Sequence, residues 1–324
     1  NGKAVPELST KILAERLGKV LKKNVVFLEV MPAADMLKRM LAQAGCDVAM
    51  LENVRFFPGE EKNDKKFAKQ LAGFGNFYIN DAFSVSHRAH ASVEAITHWL
   101  PSFGGLQLQH EAENLAKVLE SNLKPKVAIV GGAKLETKVK AIKNLIKKMD
   151  WILVGGAIAN NFIKAQGHKV GLSKIDVKEL KTAKSLLNKK LIVPVDAAVG
   201  SSLDKTSAYA VKKVDQVIEQ DIILDLGPNT VKQYIGLIKQ AKLIVWNGPL
   251  GYFENKKFQK ASQEIARAIS QSQAYSVVGG GETGQLLEQL KLTKKFSFVS
   301  TAGGAMLEFL EGKILPGLKP LIKK

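Results

Sequence analysis

The sequence has one cysteine, few arginines and no long uncharged apolar run, and each shortage excludes a class of protein. Cys46 alone cannot form an intramolecular disulfide, which suits a reducing compartment, so we expect a cytoplasmic protein. No apolar segment is long enough to cross a bilayer, so we expect no membrane partner. A Walker A loop is also missing, which excludes that kind of phosphate site.

The charge is strongly one-sided, with 48 lysines and arginines against 30 aspartates and glutamates and a formal net charge of +18. Such an excess is typical of nucleic-acid-binding proteins. Here, however, the lysines alternate with acidic residues, and there is no glycine-arginine tract, aromatic-basic repeat or zinc-ligand spacing. We therefore predict no nucleic-acid partner. The alternative would show a steep salt dependence of DNA affinity without competition from ADP.

Only five of the basic residues are arginines, and two of them follow predicted strands. Arg55 ends a strand predicted from residue 47 to 56, and Arg88 lies in a loop beyond another strand. Ligands of open α/β sheets bind at the carboxyl ends of strands, where a guanidinium can hold an anion. Surface ion pairing is the alternative. His87 and His90 lack a third ligand at a suitable spacing, so we interpret them as partners in this basic cluster.

The length and the strand pattern predict two α/β domains. A chain of 324 residues exceeds the size of one hydrophobic core. Its second half contains apolar strands that end in glycine or a turn and alternate with helices, a pattern typical of a parallel doubly wound sheet. We expect two doubly wound parallel-sheet (Rossmann-like) domains joined by a hinge helix. The boundaries are residues 1–112, completed by a tail at 306–324, and residues 113–305.

One stretch in the second half predicts an anion site. The apolar run from Val127 to Val130 ends at Gly131 and Gly132, and we expect a helix to follow directly, with Lys134 and Lys138 on one face. Glycines permit close approach of backbone amides, and a helix N-terminus favours negative charge. The alternative is an ordinary strand-to-helix turn whose lysines are solvated.

Residues 279–284 match the Gly-x-Gly-x-x-Gly pattern of dinucleotide sites, between a predicted strand and a predicted helix. The next strand lacks the acidic residue that would bind the ribose, and little chain follows it. An NAD-dependent oxidoreductase therefore stays an alternative, which tighter binding of NADH than of Mg·ADP would favour.

Six motifs, taken together and in order, resemble those of the phosphoglycerate kinase family from about residue 6 to 317. They are Leu51-Glu-Asn-Val-Arg-Phe56, Asn80-Asp-Ala-Phe83 with His87-Arg-Ala-His90, Gly131-Gly-Ala-Lys134, Trp246-Asn-Gly-Pro-Leu-Gly251, Gly279-Gly-Gly-Glu-Thr283 and Leu307-Glu-Phe-Leu-Glu-Gly312. No single motif would be specific enough.

The resemblance implies a reaction and its partners. The family transfers a phosphoryl group reversibly between 1,3-bisphosphoglycerate and ADP, giving 3-phosphoglycerate and ATP, with Mg²⁺. It would act in glycolysis as a monomer, with the glycerate on the N-terminal domain and the nucleotide on the C-terminal domain. Hinge closure would bring the substrates into line and exclude water.

The resemblance also implies residue roles. Arg55, Arg88 and His87 would bind the glycerate substrate. Lys134, Gly303 and Gly304 would act on the transferring phosphoryl group. The nucleotide would be bound by Gly132, Lys138, Gly155, Gly156, Asn247, Pro249, Tyr252, Glu254, Gly281 and Thr283. Glu282 would hold Mg²⁺.

Several positions depart from the family pattern. Glu282 stands where aspartate is usual, and Tyr252 replaces a small aliphatic residue. Ala302 replaces a glycine, which would crowd a phosphate if the position needs a positive φ. The segment from Ser84 to Ser86 differs from the usual small-residue loop. A nucleotide-binding relative that has lost catalysis is therefore a further alternative.

The family's opening strand and its His-Leu-Gly-Arg-Pro loop are missing from the sequence, which begins at Asn1. These segments supply much of the glycerate site. We therefore expect that the intact protein is a kinase and that this chain binds nucleotide but transfers phosphoryl poorly. Full turnover by the 324-residue chain in a coupled assay would contradict that expectation.

Overall fold

The structure, a computed structural model, describes residues 2–32, 36–37, 39, 42 and 48–322. The chain divides into two compact units, Asn1–Gln109 with Ile314–Lys324 (unit 1) and His110–Lys313 (unit 2). A helix expected between Met36 and Ala44 falls mostly outside the described residues.

The elements are numbered in chain order. The α-helices are α1 (Lys11–Leu21), α2 (Lys65–Ala72), α3 (Leu106–Glu120), α4 (Val139–Lys148), α5 (Gly156–Ala165), α6 (Leu180–Leu186), α7 (Pro228–Gln240), α8 (Lys260–Ser270), α9 (Gly281–Gln289) and α10 (Gly304–Leu310). The strands are β1 (Val25–Leu28), β2 (Val48–Leu51), β3 (Tyr78–Asn80), β4 (Ser102–Gly104), β5 (Lys126–Val130), β6 (Trp151–Val154), β7 (Leu191–Ile192), β8 (Asp196–Gly200), β9 (Ala210–Lys213), β10 (Ile222–Leu226), β11 (Leu243–Asn247), β12 (Tyr275–Gly279) and β13 (Phe298–Val299).

In the described part of unit 1, the strands form two separate parallel pairs, β1 with β2 and β3 with β4. The strand predicted through residue 56 is wrong in length, because β2 ends at Leu51. Arg55 lies instead in a short 3-10 turn, and the Asn53 side chain accepts a hydrogen bond from its backbone N–H at 3.1 Å. An asparagine that bonds to the nearby backbone competes with strand pairing, which explains the early end.

Unit 2 is built around a parallel sheet of order β13-β12-β11-β5-β6-β7. All five residues of β5 are buried, as are those of β11, and helices flank the sheet, as expected for strands covered on both faces. The predicted α/β class with a mostly parallel sheet is confirmed.

Three strands of unit 2 lie outside its parallel sheet, and one of them, β10, was predicted as part of the parallel series. β10, β8 and β9 form a separate antiparallel sheet. No α-helix lies between β8 and β9 or between β9 and β10. Parallel neighbours need a long crossover, whereas short connections produce antiparallel pairs, which accounts for the difference. No helix in the described part of the chain is long and apolar enough to span a membrane.

Candidate functional site

The central strands of unit 2 end in register on a strip of glycines. Val130 is paired with Val154 and with Asn247, and Asn247 is paired with Gly279. The residue after each of these four is a glycine: Gly131, Gly155, Gly248 and Gly280. The carboxyl edge of the sheet therefore presents backbone without side chains, where a ligand can approach the peptide groups closely.

Two of these turns require glycine for steric reasons. A Cβ at Gly131 would lie 2.0 Å from the carbonyl oxygen of Pro249. Gly156 has a φ of +60°, and its Cβ would lie 2.8 Å from the backbone nitrogen of Gly132. The loops after β5, β6 and β11 are thus packed backbone against backbone at this edge.

The helix predicted directly after Gly132 is wrong, because α4 begins only at Val139. Gly132 has a φ of +110°, which is not helical, and the intervening residues form a loop. The carboxylate of Asp176 holds this loop by accepting hydrogen bonds from the N–H groups of Leu135 and Glu136. Lys134 is exposed on the loop and shares no helix face with Lys138.

Lys138 is buried, and its ammonium binds protein oxygens. Nζ donates to the carbonyl oxygen of Gly131 at 2.6 Å, to Oδ1 of Asn247 at 2.7 Å and to the carbonyl oxygen of Asn247 at 3.2 Å. Burial lowers the pKa of Lys138 to about 8, and the nearby charge of Glu282 acts in the opposite direction. The three N–H groups of the ammonium thus tie the end of β5 to the end of β11.

A cavity of about 360 Å³ adjoins the glycine strip within unit 2, a size in the range of small-molecule sites. One face of α5, strand β10 and the loop after β11 supply most of its wall. Six of the predicted nucleotide and metal residues line it: Gly132, Gly156, Pro249, Tyr252, Glu254 and Glu282. The side chains of Glu254 and Glu282 are exposed, whereas Tyr252 is half-buried.

Asp225 is a buried carboxylate in the cavity wall that sequence reasoning missed. Its Oδ1 accepts from the N–H of Leu226 at 2.9 Å, and its Oδ2 accepts from the N–H of Ala261 at 3.1 Å. Burial nevertheless raises the pKa of Asp225 to about 7, since desolvation outweighs these hydrogen bonds. A charged residue inside the apolar strand β10 was the signal available in the sequence.

Asp225 should make unit 2 less stable as the pH rises. Its folded pKa of about 7 lies above the ordinary value of 3.8, so its stabilising contribution is complete below pH ~4 and is lost as the pH passes through about 7. We expect Asp225→Asn to flatten the pH dependence by about 2 to 3 kcal/mol between pH 5 and 8. Calorimetric unfolding of both proteins measures this, with the exposed Asp204→Asn as control. The same pH dependence of the unfolding free energy in the wild-type protein and in Asp225→Asn would contradict this prediction.

The first turn of α9 carries an unsatisfied hydroxyl. Gly280, with a φ of +107°, precedes the helix, and the side chain of Thr283 is fully buried. Its Oγ1 has no hydrogen-bond partner among the described atoms. Buried hydroxyls are normally bonded, and the first amides of a helix have no partner within it, so this turn is suited to an acceptor group from outside the chain.

The loop that carries Gly303 and Gly304 is anchored to α3. Glu111 accepts hydrogen bonds from the hydroxyl of Ser300 and from both the N–H and the hydroxyl of Thr301, each at 2.7 Å. The carbonyl oxygen of Ala302 accepts a hydrogen bond from the N–H of Gly280 at 3.1 Å, which places the loop beside the first turn of α9. Among the described residues, only Lys22, Asn63 and Lys291 combine a side chain with a positive φ, so Ala302 is not strained there.

The predicted glycerate residues lie in unit 1, where they form a basic cluster. Nε of Arg88 donates to Nε2 of His87 at 3.3 Å. His90 lies 3.7 Å from the carboxylate of Glu60, yet its pKa is lowered, first by burial and then by Arg55 and Arg88. Over the described ranges, no group of three His, Cys, Asp or Glu residues could hold a metal.

Comparison with known proteins identifies what the chain resembles. A family model described as phosphoglycerate kinase matches residues 1–313. A phosphoglycerate kinase of Caulobacter vibrioides is 42% identical over 332 residues, covering 99% of this chain and 83% of the relative. One of Moorella thermoacetica is 38% identical and covers 100% of this chain and 84% of the relative.

Solved structures give the same result. A structure of phosphoglycerate kinase from Coxiella burnetii has a TM-score of 0.82 and 40% sequence identity, covering 99% of this chain and 82% of the other. The crystal structure of the Pyrococcus horikoshii enzyme has a TM-score of 0.85 and 29% identity, covering 99% and 84%.

Proposed function

The chain belongs to the phosphoglycerate kinase family, and on that basis we propose that it transfers a phosphoryl group reversibly between 1,3-bisphosphoglycerate and ADP, with the nucleotide bound in the cavity of unit 2. Members of this family are phosphotransferases whose acceptor is a carboxyl group. The observation that carries the proposal is the position of the cavity, which opens beside the glycine strip at the carboxyl ends of the strands. This is where open α/β sheets bind ligands.

The cavity lining combines apolar residues with carboxylates and glycines, as a nucleotide requires. Gly156, Tyr252 and the apolar side chains of α5 and β10 suit the base and the sugar, and the exposed carboxylate of Glu254 suits the ribose hydroxyls. Gly155 packs closely against Leu250 of this wall, since a Cβ at Gly155 would lie 2.5 Å from the Leu250 side chain. We propose that the phosphates extend from here over Gly132 toward Gly281.

The phosphate end offers hydrogen-bond donors and lies near the exposed ammonium of Lys134. The orphan hydroxyl of Thr283 and the N-terminal amides of α9 are suited to phosphate oxygens, with Gly303 and Gly304 beside them. Lys134 is exposed on its tethered loop and is proposed to offset charge on the transferring group. Lys138 is proposed to act indirectly, by holding Gly131 and Asn247, because its donors are already used.

The residues at this end fit a Mg²⁺ ion that arrives with the nucleotide. Glu282 presents one exposed carboxylate in the first turn of α9, at the cavity. Mg²⁺ in such enzymes is usually held by one or two carboxylates, phosphate oxygens and water. When bound, the ion would neutralise phosphate charge, and Glu282 would position it.

We propose that unit 1 is the glycerate-binding domain and that the enzyme works as a cytoplasmic monomer. Arg55 and Arg88 both act electrostatically on His90, so their charges lie close to one point, where His87 also makes a contact. Planar guanidinium groups bind phosphate oxygens in pairs, which suits the 3-phosphate.

A coupled assay of ATP consumption that depends on 3-phosphoglycerate tests the reaction. We expect turnover that requires both substrates, and we expect Arg88→Met to raise the KM for 3-phosphoglycerate about tenfold or more while the KM for ATP stays unchanged. Arg267→Met, an exposed arginine on α8, is the matched control. Nucleotide binding without any transfer would favour a catalytically inactive relative instead.

A further inference from the structure

The peptide bond that follows Lys134 is held at both ends. The N–H of Leu135 donates a hydrogen bond to Oδ2 of Asp176, and the carbonyl oxygen of Lys134 accepts one from the hydroxyl of Thr137 at 3.0 Å. Both groups belong to the single peptide that joins Lys134 to Leu135. Because a peptide is planar, two bonds at its opposite sides fix its orientation and restrict the direction in which the Lys134 side chain leaves the backbone.

Further contacts keep this peptide in place. The same oxygen of Asp176 also accepts a hydrogen bond from the N–H of Glu136 at 3.2 Å, and an ionised acceptor makes stronger bonds than a neutral one. The side chain of Leu135 is fully buried, whereas Lys134 and Glu136 on either side of it are exposed. The loop is thus anchored at Leu135, and the side chain of Lys134 remains accessible to a ligand.

Asp176 is itself held by helix α5, which begins at the glycine strip. The N–H of Asp176 donates to Oδ1 of Asn161 at 2.8 Å, and Nδ2 of Asn161 donates to the carbonyl oxygen of Ala157 at 3.1 Å. Asn161 is only 1% exposed. The same helix holds the start of the loop, since the N–H of Ile158 donates to the carbonyl oxygen of Gly132 at 3.1 Å. Both the loop and its anchor are therefore supported by one rigid element.

We propose that Asp176 is a positioning residue for phosphoryl transfer, which acts by holding Lys134 toward the transferring group through the Lys134–Leu135 peptide. This inference rests on the proposed function, because it assumes that Lys134 offsets charge on that group. Among the described residues, the wall of the cavity does not include Asp176, so we expect it to affect the rate of transfer and not nucleotide binding. Misplacement of a participating group by about 1 Å can lower a rate about 10²-fold.

A double-mutant cycle on turnover tests the proposal. In the wild-type background we expect Asp176→Ala to lower kcat about 10- to 100-fold and to change the KM for ATP less than about threefold. In the Lys134→Ala background we expect the same substitution to lower kcat less than about threefold, because the group that Asp176 positions is already absent. A residue that only stabilises the fold would lower kcat by the same factor in both backgrounds.

Asp150→Ala is the matched control for Asp176→Ala. Oδ2 of Asp150 accepts a hydrogen bond from the N–H of Lys126 at 2.7 Å, so this carboxylate also ties down a distant backbone amide, but at the amino end of β5. The control should leave kcat and the KM for ATP unchanged.

Thr137→Val tests the same peptide if Asp176→Ala fails to fold. It removes only an exposed hydroxyl, which is the other hydrogen bond of the Lys134–Leu135 peptide. We expect it to lower kcat about three- to tenfold in the wild-type background, the effect of one neutral hydrogen bond, and to have little effect in the Lys134→Ala background.

Equal factors in the two backgrounds, or a wild-type kcat in Asp176→Ala, would overturn the positioning role and leave the proposed function standing. If Asp176→Ala does not fold, the same criteria apply to Thr137→Val. A wild-type protein without turnover would remove the proposed function together with this inference.

Discussion

Replacing Lys134 by alanine is expected to lower turnover about 10²- to 10³-fold while changing the affinity for ADP by less than about threefold. The side chain is exposed on a loop that Asp176 holds at the cavity edge, and no carboxylate in the described part of the chain forms an ion pair with it. Its charge therefore stabilises the transition state most, when negative charge is spread over the phosphoryl group being transferred. Steady-state kinetics and ADP titration measure the two effects separately.

Lys140→Ala is the matched control for Lys134→Ala, since Lys140 is an exposed lysine in the first turn of α4. It should leave both quantities unchanged. Equal losses of turnover and of ADP affinity in Lys134→Ala would make Lys134 a binding residue only and would contradict its proposed role at the transferring group.

Replacing Lys138 by methionine is expected to destabilise unit 2 by about 3 to 5 kcal/mol, because three buried oxygen contacts at the ends of β5 and β11 lose their donor. For a domain of this size, the midpoint of thermal unfolding should fall on the order of 10 °C. Differential scanning calorimetry measures this, with Lys140→Met as the exposed control.

The same variant separates two roles for Lys138. If the lysine acts by holding Gly131 and Asn247, its replacement should weaken the binding of adenosine, AMP and ADP by similar factors, because the whole carboxyl edge of the sheet becomes less ordered. If it binds phosphates directly, as the family resemblance implies, the replacement should not change the affinity for adenosine. The loss of affinity should then increase from AMP to ADP, with each added phosphate. Titration of the three ligands into Lys138→Met at a temperature where it is folded distinguishes these outcomes.

The sequence predicted the architecture of unit 2 well, because its signals are local. Uncharged apolar runs that end in glycine mark β6, β11 and β12, and the positions of those glycines at one sheet edge follow from parallel topology. Five of the ten nucleotide residues that the family motifs predicted line one cavity.

Two of the failures share a physical cause, which is a long-range contact that no local pattern contains. Asp176 accepts hydrogen bonds from the amides of Leu135 and Glu136, which precede it by 41 and 40 residues. These bonds hold the segment as a loop, so α4 begins later than predicted. Lys138 reaches Asn247 across 109 residues, which buries a charge that the helical pattern placed on one face with Lys134.

A methyl NMR titration with Mg·ADP tests most directly the central claim that the nucleotide binds in the cavity of unit 2. The wall carries the methyl groups of Ala157, Ala159, Ile163 and Leu224, which should shift strongly in the ring current of a bound base. The methyl groups of Ile269, in the core and outside the cavity wall, should shift little. Saturating Mg·ADP that shifts methyl groups elsewhere and leaves these four unchanged would contradict the claim.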